Sequence, residues 1–216
     1  MCTKIRNGLS ITVLFSIFSA CATTNYYTAQ TLKQGEKALS PGVDNVLLYE
    51  SDTGDYTFGM TPSLGYVHGL PWRLETGLRL YVPYVLEGMV RRQLNPNRFS
   101  ALDLSANLHF GIRYFFDNRE AEIVDQYLKP GVTISKNIKG WQPFLSYYRI
   151  LPQYRTGRQS GDHRPFNSVI STGIALPFGQ DQIFPEINYQ FRGAKVQKGI
   201  FFFGIGVRSF ITKLKK

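Results

Sequence analysis

The residues best suited to chemistry at neutral pH are the three histidines, His68, His109 and His163. None of them sits in an H-x-E or H-E-x-x-H spacing, and the chain has no C-x-x-C pair, so a metal site has no local support. His109 shares an alternating row with Asp103, Ser105 and Asn107. Ser105 and His109 are four residues apart, which along an extended strand is roughly 13 Å. That gap is too wide for a nucleophile–base hydrogen bond, so any partner for His109 has to come from a neighbouring strand. Gly204-Ile205-Gly206 has no helix pattern after it and is read as close strand packing, not as a nucleotide fingerprint. No catalytic residue, metal ligand or cofactor site is assigned.

Most of the remaining chemistry-bearing residues are charged, and a two-residue alternation positions them. In Phe99 to Phe116, Leu102, Leu104, Ala106, Leu108, Phe110, Ile112, Tyr114 and Phe116 share one face; Asp103, Ser105, Asn107, His109, Gly111, Arg113 and Phe115 take the other. A strand separates two such sets and a helix mixes them. Leu74, Thr76, Leu78, Leu80 and Val82 oppose Arg73, Glu75, Gly77, Arg79 and Tyr81 in the same way. Pro185, Ile187, Tyr189 and Phe191 oppose Glu186, Asn188, Gln190 and Arg192; Phe203, Ile205 and Val207 oppose Gly204, Gly206 and Arg208. Weaker strands are predicted at about 38–49, 58–68, 84–94, 124–136, 141–151 and 168–177.

Turn formers mark tight connections at His68-Gly69-Leu70-Pro71, Asn95-Pro96-Asn97, Asn137-Ile138-Lys139-Gly140 and Phe178-Gly179-Gln180-Asp181. Longer polar connections are expected at Glu50 to Tyr56, Asp117 to Ile123, Tyr154 to Asn167 and Arg192 to Lys198. The irregular member is Val82-Pro83-Tyr84, which is short where the alternation calls for a long loop. The count closes best at ten strands, with eight to twelve compatible, and an even number brings both ends of the chain to one side. The fold class expected is all-β, an antiparallel up-and-down barrel.

Composition agrees. The chain has 216 residues, 13 Tyr, 16 Phe and 20 Gly, which suits strands and tight turns. Mean hydropathy is -0.17 and no apolar run approaches the length of a membrane helix, which excludes a multi-helix membrane protein. The formal charge is +10.

Residues 1–21 read as an export leader. Lys4 and Arg6 precede the apolar run Leu9 to Phe18, which is too short to span a bilayer. Phe18-Ser19-Ala20-Cys21 resembles a lipobox, with Phe where Leu is usual. That resemblance implies cleavage before Cys21, carried out after diacylglyceryl modification, followed by N-acylation. The expected covalent lipid on Cys21 is the only non-protein group, and several acyl chains together anchor a protein stably. Ala22 in place of Asp leans towards the outer membrane. With the leader gone, 23 basic and 15 acidic residues remain. Export directs that surplus towards anionic lipid and surface glycolipid, and away from nucleic acid. Neither cysteine is left for a disulfide. The chain divides into a signal-peptide helix at 1–20, a lipidated polar tether at 21–37, the barrel at 38–212 and a basic tail at 213–216.

Alternation alone leaves open which face is wet. In a transmembrane barrel the apolar rows face lipid; in a lipocalin-like soluble barrel they line an apolar ligand site. The membrane reading is favoured, since the polar rows carry Gly, Ser, Asn and charges of both signs and almost no Lys apart from Lys129. It places Glu75, Arg79, Glu87, Arg91, Asp103, His109, Arg113, Glu186, Arg192 and Arg208 in the lumen as a structural charge network or a solute path. About ten strands enclose too little space for a wide pore, so a narrow conductance or none is expected. In this topology Arg155, Arg158 and Arg164 lie in an outward loop and are candidate contacts to glycolipid phosphates.

Two further stretches carry a resemblance. Thr28-Ala29-Gln30-Thr31-Leu32-Lys33-Gln34-Gly35-Glu36 and the hairpin Gly65 to Arg79 resemble bacterial outer-membrane β-barrel lipoproteins, whose members are largely uncharacterised. The resemblance implies fold, outer-membrane location and dependence on the assembly machinery during biogenesis. Such barrels typically end in an aromatic residue, whereas Phe210 here is followed by six more residues. The reading is a lipid-anchored outer-membrane barrel with a structural or narrow-pore role and no enzymatic activity. The rivals are a tethered soluble ligand-binding barrel and a lipid-modifying barrel enzyme. Oligomeric state is not legible.

Overall fold

A computed structural model describes residues 26–49, 56–82, 85–95, 102–117, 120–155, 168–192 and 195–212. The strands are β1 (Lys37–Tyr49), β2 (Tyr56–Leu70), β3 (Leu74–Tyr81), β4 (Val85–Gln93), β5 (Asp103–Asp117), β6 (Glu120–Ser135), β7 (Gln142–Arg149), β8 (Leu151–Arg155), β9 (Ser168–Phe178), β10 (Asp181–Arg192) and β11 (Lys195–Thr212). All pairings are antiparallel. β7 and β8 both pair with β6 and are one stave broken at Ile150, so the staves number ten. β1 pairs with β11 and closes the sheet into an up-and-down barrel. Closure gives the first and last strands a partner on each side.

The alternation translates directly into two faces. Leu64, Leu78, Leu108, Phe110, Leu145, Ile187, Phe203 and Ile205 are exposed on the outside, Leu64 by 53% and Leu108 by 48%. Their strand neighbours Glu75, Arg79, Glu87, Arg91, Ser105, Asn107, His109 and Glu186 are buried inside. Inward glycines make room for large rings on the facing stave. Gly111 faces Tyr127, Gly131 faces Tyr148 and Gly173 faces Phe144. A Cβ on Gly111 or Gly131 would meet the facing ring at 2.0 or 2.3 Å.

Three expectations are corrected. Residues 21–37 were expected to be a polar tether. Cys21 to Asn25 lie outside the described residues, but residues 26–32 fold back into the lumen. Tyr26, Tyr27, Thr28, Ala29 and Leu32 are all buried there. The physical reason is that this stretch carries apolar and aromatic surface that the lumen can enclose, while its backbone polar groups find partners on the wall.

Second, Asp117 to Ile123 and Arg192 to Lys198 were expected to be long loops. Instead β5 runs to Asp117 and β6 starts at Glu120, while β10 runs to Arg192 and β11 starts at Lys195. Strand pairing is a backbone interaction, so polar side chains do not end it. Third, Arg155 was placed in an outward loop, but its backbone continues β8 opposite Asp125. Arg158, Arg164, His163, the leader and the tail 213–216 lie outside the described residues.

Of the four connections at the end where β1 begins, three fall where turns were read. The first lies at Pro71–Arg73 and not at His68–Pro71, because His68, Gly69 and Leu70 continue β2 opposite Thr76, Glu75 and Leu74. Around Pro71–Arg73 the chain makes a single 3-10 turn, with Trp72 at φ 56 and Arg73 at φ 58. The Asn95 side chain accepts from the Leu104 N–H at 2.6 Å, and that of Asn137 accepts from the Gly140 N–H at 3.0 Å. Gly179 supplies φ 59 between β9 and β10.

Gly42 and Gly206 are partners across the closing seam of β1 and β11, and the Tyr26 ring lies over both. A Cβ on either would fall 2.5 Å from that ring. Gly206→Val is expected to destabilise the barrel by about 1–3 kcal/mol through overpacking. Tyr26→Ala in the same chain should recover part of the loss, measured as a coupling energy from urea unfolding of the four variants in detergent.

Candidate functional site

The lumen is organised in layers, each built by residues that face one another across adjacent staves. At the mouth, Glu75 on β3 and Arg91 on β4 are direct register partners. They form a salt bridge at 2.7 Å with both side chains essentially inaccessible to solvent. The other oxygen of Glu75 accepts from the Leu32 backbone N–H at 2.8 Å. Arg91 also donates to the Thr28 carbonyl, and to that of Gln30 at 3.1 Å. Gln30 completes the mouth: its side chain donates to Asp103 at 2.8 Å and accepts from Gln142 at 3.0 Å. The Ala29 N–H donates to the Ser135 hydroxyl at 3.0 Å.

Deeper in the barrel the aromatic pair Tyr26-Tyr27 fills the centre. Three guanidinium groups surround the Tyr27 ring, with Arg79, Arg91 and Arg208 at 5.0, 4.9 and 5.1 Å from its centroid. Arg79 donates to the Tyr27 hydroxyl at 3.1 Å. The Tyr26 N–H donates to Glu186 at 2.8 Å, and its hydroxyl donates to the Val43 carbonyl at 3.0 Å and is also bonded to Asp44.

A second charged layer joins β4, β5 and β6. Glu87 is bonded to His109 Nδ1 at 2.8 Å and to Lys129 Nζ at 3.0 Å, and it accepts from the Tyr127 hydroxyl at 2.8 Å. The His109 ring stands edge-on to Tyr148 at 5.5 Å. Beside it, the Asn107 side chain donates to the Thr133 hydroxyl, and Thr133 is in turn bonded to Ser146. Tyr81, Val85, Tyr127, Tyr148, Ile150 and Val169 pack as an apolar layer in the same part of the lumen.

Of the residues predicted to line the lumen, Glu75, Arg79, Glu87, Arg91, His109, Glu186 and Arg208 are brought together in its interior. Asp103 and Arg113 are half-buried, Asp103 at the mouth. The side chain of Arg192 lies outside the described residues. Ser105 bonds to Asn107 at 3.3 Å and not to His109, so no nucleophile–base pair forms between them. Among the described buried wall residues, Asp44, Glu75, Glu87 and Glu186 balance Arg79, Arg91, Lys129 and Arg208 in number. Sequence reasoning missed Tyr26 and Tyr27. Two adjacent aromatic residues in a supposedly solvated tether were the available signal.

The outer face bears an apolar belt, including a hollow of about 240 Å³ lined by Val132, Ile134, Leu145, Tyr147 and Ile170 with Ser146. A soluble barrel turns such residues inward. This one is inside-out. An exposed apolar surface running around the whole barrel far exceeds the patches that soluble monomers tolerate, and it matches the lipid-facing side of a transmembrane barrel.

No family model matches the chain, and no curated protein matches it. Among solved structures it is similar to the KdgM porin at 11% identity, covering 80% of this chain and 98% of that one, with a TM-score of 0.46. A de novo designed transmembrane β-barrel matches at 10% identity, 84% and 99% coverage and a TM-score of 0.34. Ail, the attachment invasion locus protein of Yersinia pestis, matches at 11% identity, 82% and 99% coverage and a TM-score of 0.30. The membrane placement rests on the two faces of the barrel itself.

Removing one partner of the mouth salt bridge leaves a buried charge without compensation, at a cost of about 3–5 kcal/mol. Glu75→Ala and Arg91→Ala are each expected to lose stability on that scale. The double variant should lose clearly less than their sum, read from denaturant unfolding in micelles.

Proposed function

We propose that this chain is a non-catalytic outer-membrane lipoprotein, anchored through Cys21 and spanning the membrane as a ten-stave barrel. Its role is structural, with the lumen closed by the chain's own N-terminal segment. The observation that carries the reading is the pairing of an apolar outer belt with a charged, internally hydrogen-bonded lumen. A stave with that polarity is stable only where hydrocarbon lies outside and backbone groups are satisfied within the sheet. The lipobox-like run Phe18 to Cys21 and the residue Ala22 support anchoring and the outer membrane.

The rival of a soluble barrel binding an apolar ligand requires apolar rows inside, and the lumen instead holds Glu75, Arg91, Glu87 and Lys129. A lipid-modifying enzyme needs a nucleophile and base at a rim, open to a lipid substrate. His109 and Glu87 are instead enclosed with Lys129 and Tyr127. A narrow conductance remains as the second reading, favoured by the charged layers of the lumen.

Replacing residues 1–21 with an ordinary secretory leader and washing the membranes with alkaline carbonate tests the span independently of the lipid. The barrel is expected to stay in the outer-membrane fraction; release into the soluble fraction would sink the proposal. In the natural chain, Cys21→Ser should abolish incorporation of labelled palmitate without releasing the barrel.

A further inference from the structure

The lumen wall holds residues 26–32 in the manner of a receptor holding a peptide. Three backbone amides of the segment donate to wall side chains: Tyr26 to Glu186, Ala29 to Ser135 and Leu32 to Glu75. Three of its carbonyls accept from wall guanidinium groups: Tyr26 from Arg208, and Thr28 and Gln30 from Arg91. The wall therefore reads the backbone of a non-strand segment, bent at Ala29 and left-handed at Tyr26 (φ 51), on both its donor and acceptor sides. Two further sites read side chains. The Gly42–Gly206 niche takes the Tyr26 ring, and the triangle of Arg79, Arg91 and Arg208 takes the Tyr27 ring.

The segment Tyr-Tyr-Thr-Ala-Gln-Thr-Leu carries no charge, whereas the wall around it carries charges of both signs. Neutral peptide dipoles and ring faces meet ionised groups, and the hydrogen bonds to Glu75, Glu186, Arg91 and Arg208 are charge-assisted. Residues 26–32 belong to no strand. Their connection to β1 is the exposed run Lys33 to Gly35, where Gly35 turns at φ 83. Covalent continuity with β1 thus supplies high effective concentration and none of the wall contacts named above.

We propose that the lumen is a binding site for an uncharged peptide led by two adjacent aromatic residues, and that residues 26–32 are its resident, exchangeable occupant. The site stands on the lumen geometry and does not depend on lipidation or on which membrane holds the barrel. An exchangeable occupant makes closure of the mouth a binding equilibrium, open to competition by a second peptide of the same kind.

The test separates the occupant from the wall after folding. A chain beginning at Ala22, with a protease site inserted between Lys33 and Gln34, is folded in detergent and then cut. Anisotropy then follows a synthetic N-acetylated peptide of residues 26–33 labelled on the Lys33 side chain, which is exposed. Acetylation keeps an amide N–H opposite Glu186. Saturable uptake is expected, reversed by excess unlabelled peptide and at least tenfold weaker for the Tyr27→Ala peptide. No uptake by a cut barrel that keeps its heat-modifiable migration would overturn the proposal, as would equal uptake of the Tyr27→Ala peptide.

Hydrogen exchange on the uncut chain is a second measurement that needs no insertion. The amides of Tyr26, Ala29 and Leu32 are expected to exchange faster than those of β3 and β10, through opening of the segment alone. Equal protection would mean that the segment opens only with the whole barrel, and would sink the exchangeable occupant.

Discussion

A charge walled off from bulk water has to be matched where it stands, and the interior of this barrel is arranged around that constraint. Ionised groups that sit in a narrow lumen lose much of their hydration, and only close partners restore it. The staves provide part of the match through direct register, as with Glu75 opposite Arg91. They provide another part through diagonals, as with Glu87 reaching His109 and Lys129. What the staves leave over is met by the backbone of residues 26–32, whose amides and carbonyls turn towards carboxylates and guanidinium groups. The segment thereby becomes part of the interior electrostatics and cannot be treated as a leash.

The same segment bears on closure. A barrel is complete only where its first and last strands meet, and here that seam carries two facing glycines, Gly42 and Gly206. Glycine weakens a strand because it offers no side chain to pack. The Tyr26 ring covers both positions and restores apolar contact on the inner side of the seam. Elsewhere the wall solves the same problem with Tyr127, Tyr148 and Phe144 on facing staves, where no extra segment is needed.

The fold was legible to a large extent. Strict alternation through Leu102 to Phe116, and again through Leu74 to Val82, defined strands and separated their faces, because the side-chain period of a strand is two whatever surrounds it. Turn residues such as Asn137 and Gly179 located the connections at one end for a similarly local reason. Where signals were non-local the reading failed. Polarity suggested loops at Asp117 to Ile123 and Arg192 to Lys198, yet strand pairing continued into both, since a facing backbone suffices for pairing. The candidate site was legible as a row of charges, but its partners were not: Glu75 with Arg91 and Glu87 with Lys129 depend on register between strands.

By itself the sequence determined that this protein would be an antiparallel sheet with one apolar and one polar face, because faces and turns follow from local spacing along the chain. Only the tertiary structure decided which face looks inward, which charges meet, and that Tyr26 and Tyr27 lie inside. Each of those depends on the curvature of the closed sheet and on residues brought together from distant parts of the chain. Tyr26 and Glu186 are separated by 160 positions and joined by one hydrogen bond, a relation that no local pattern encodes.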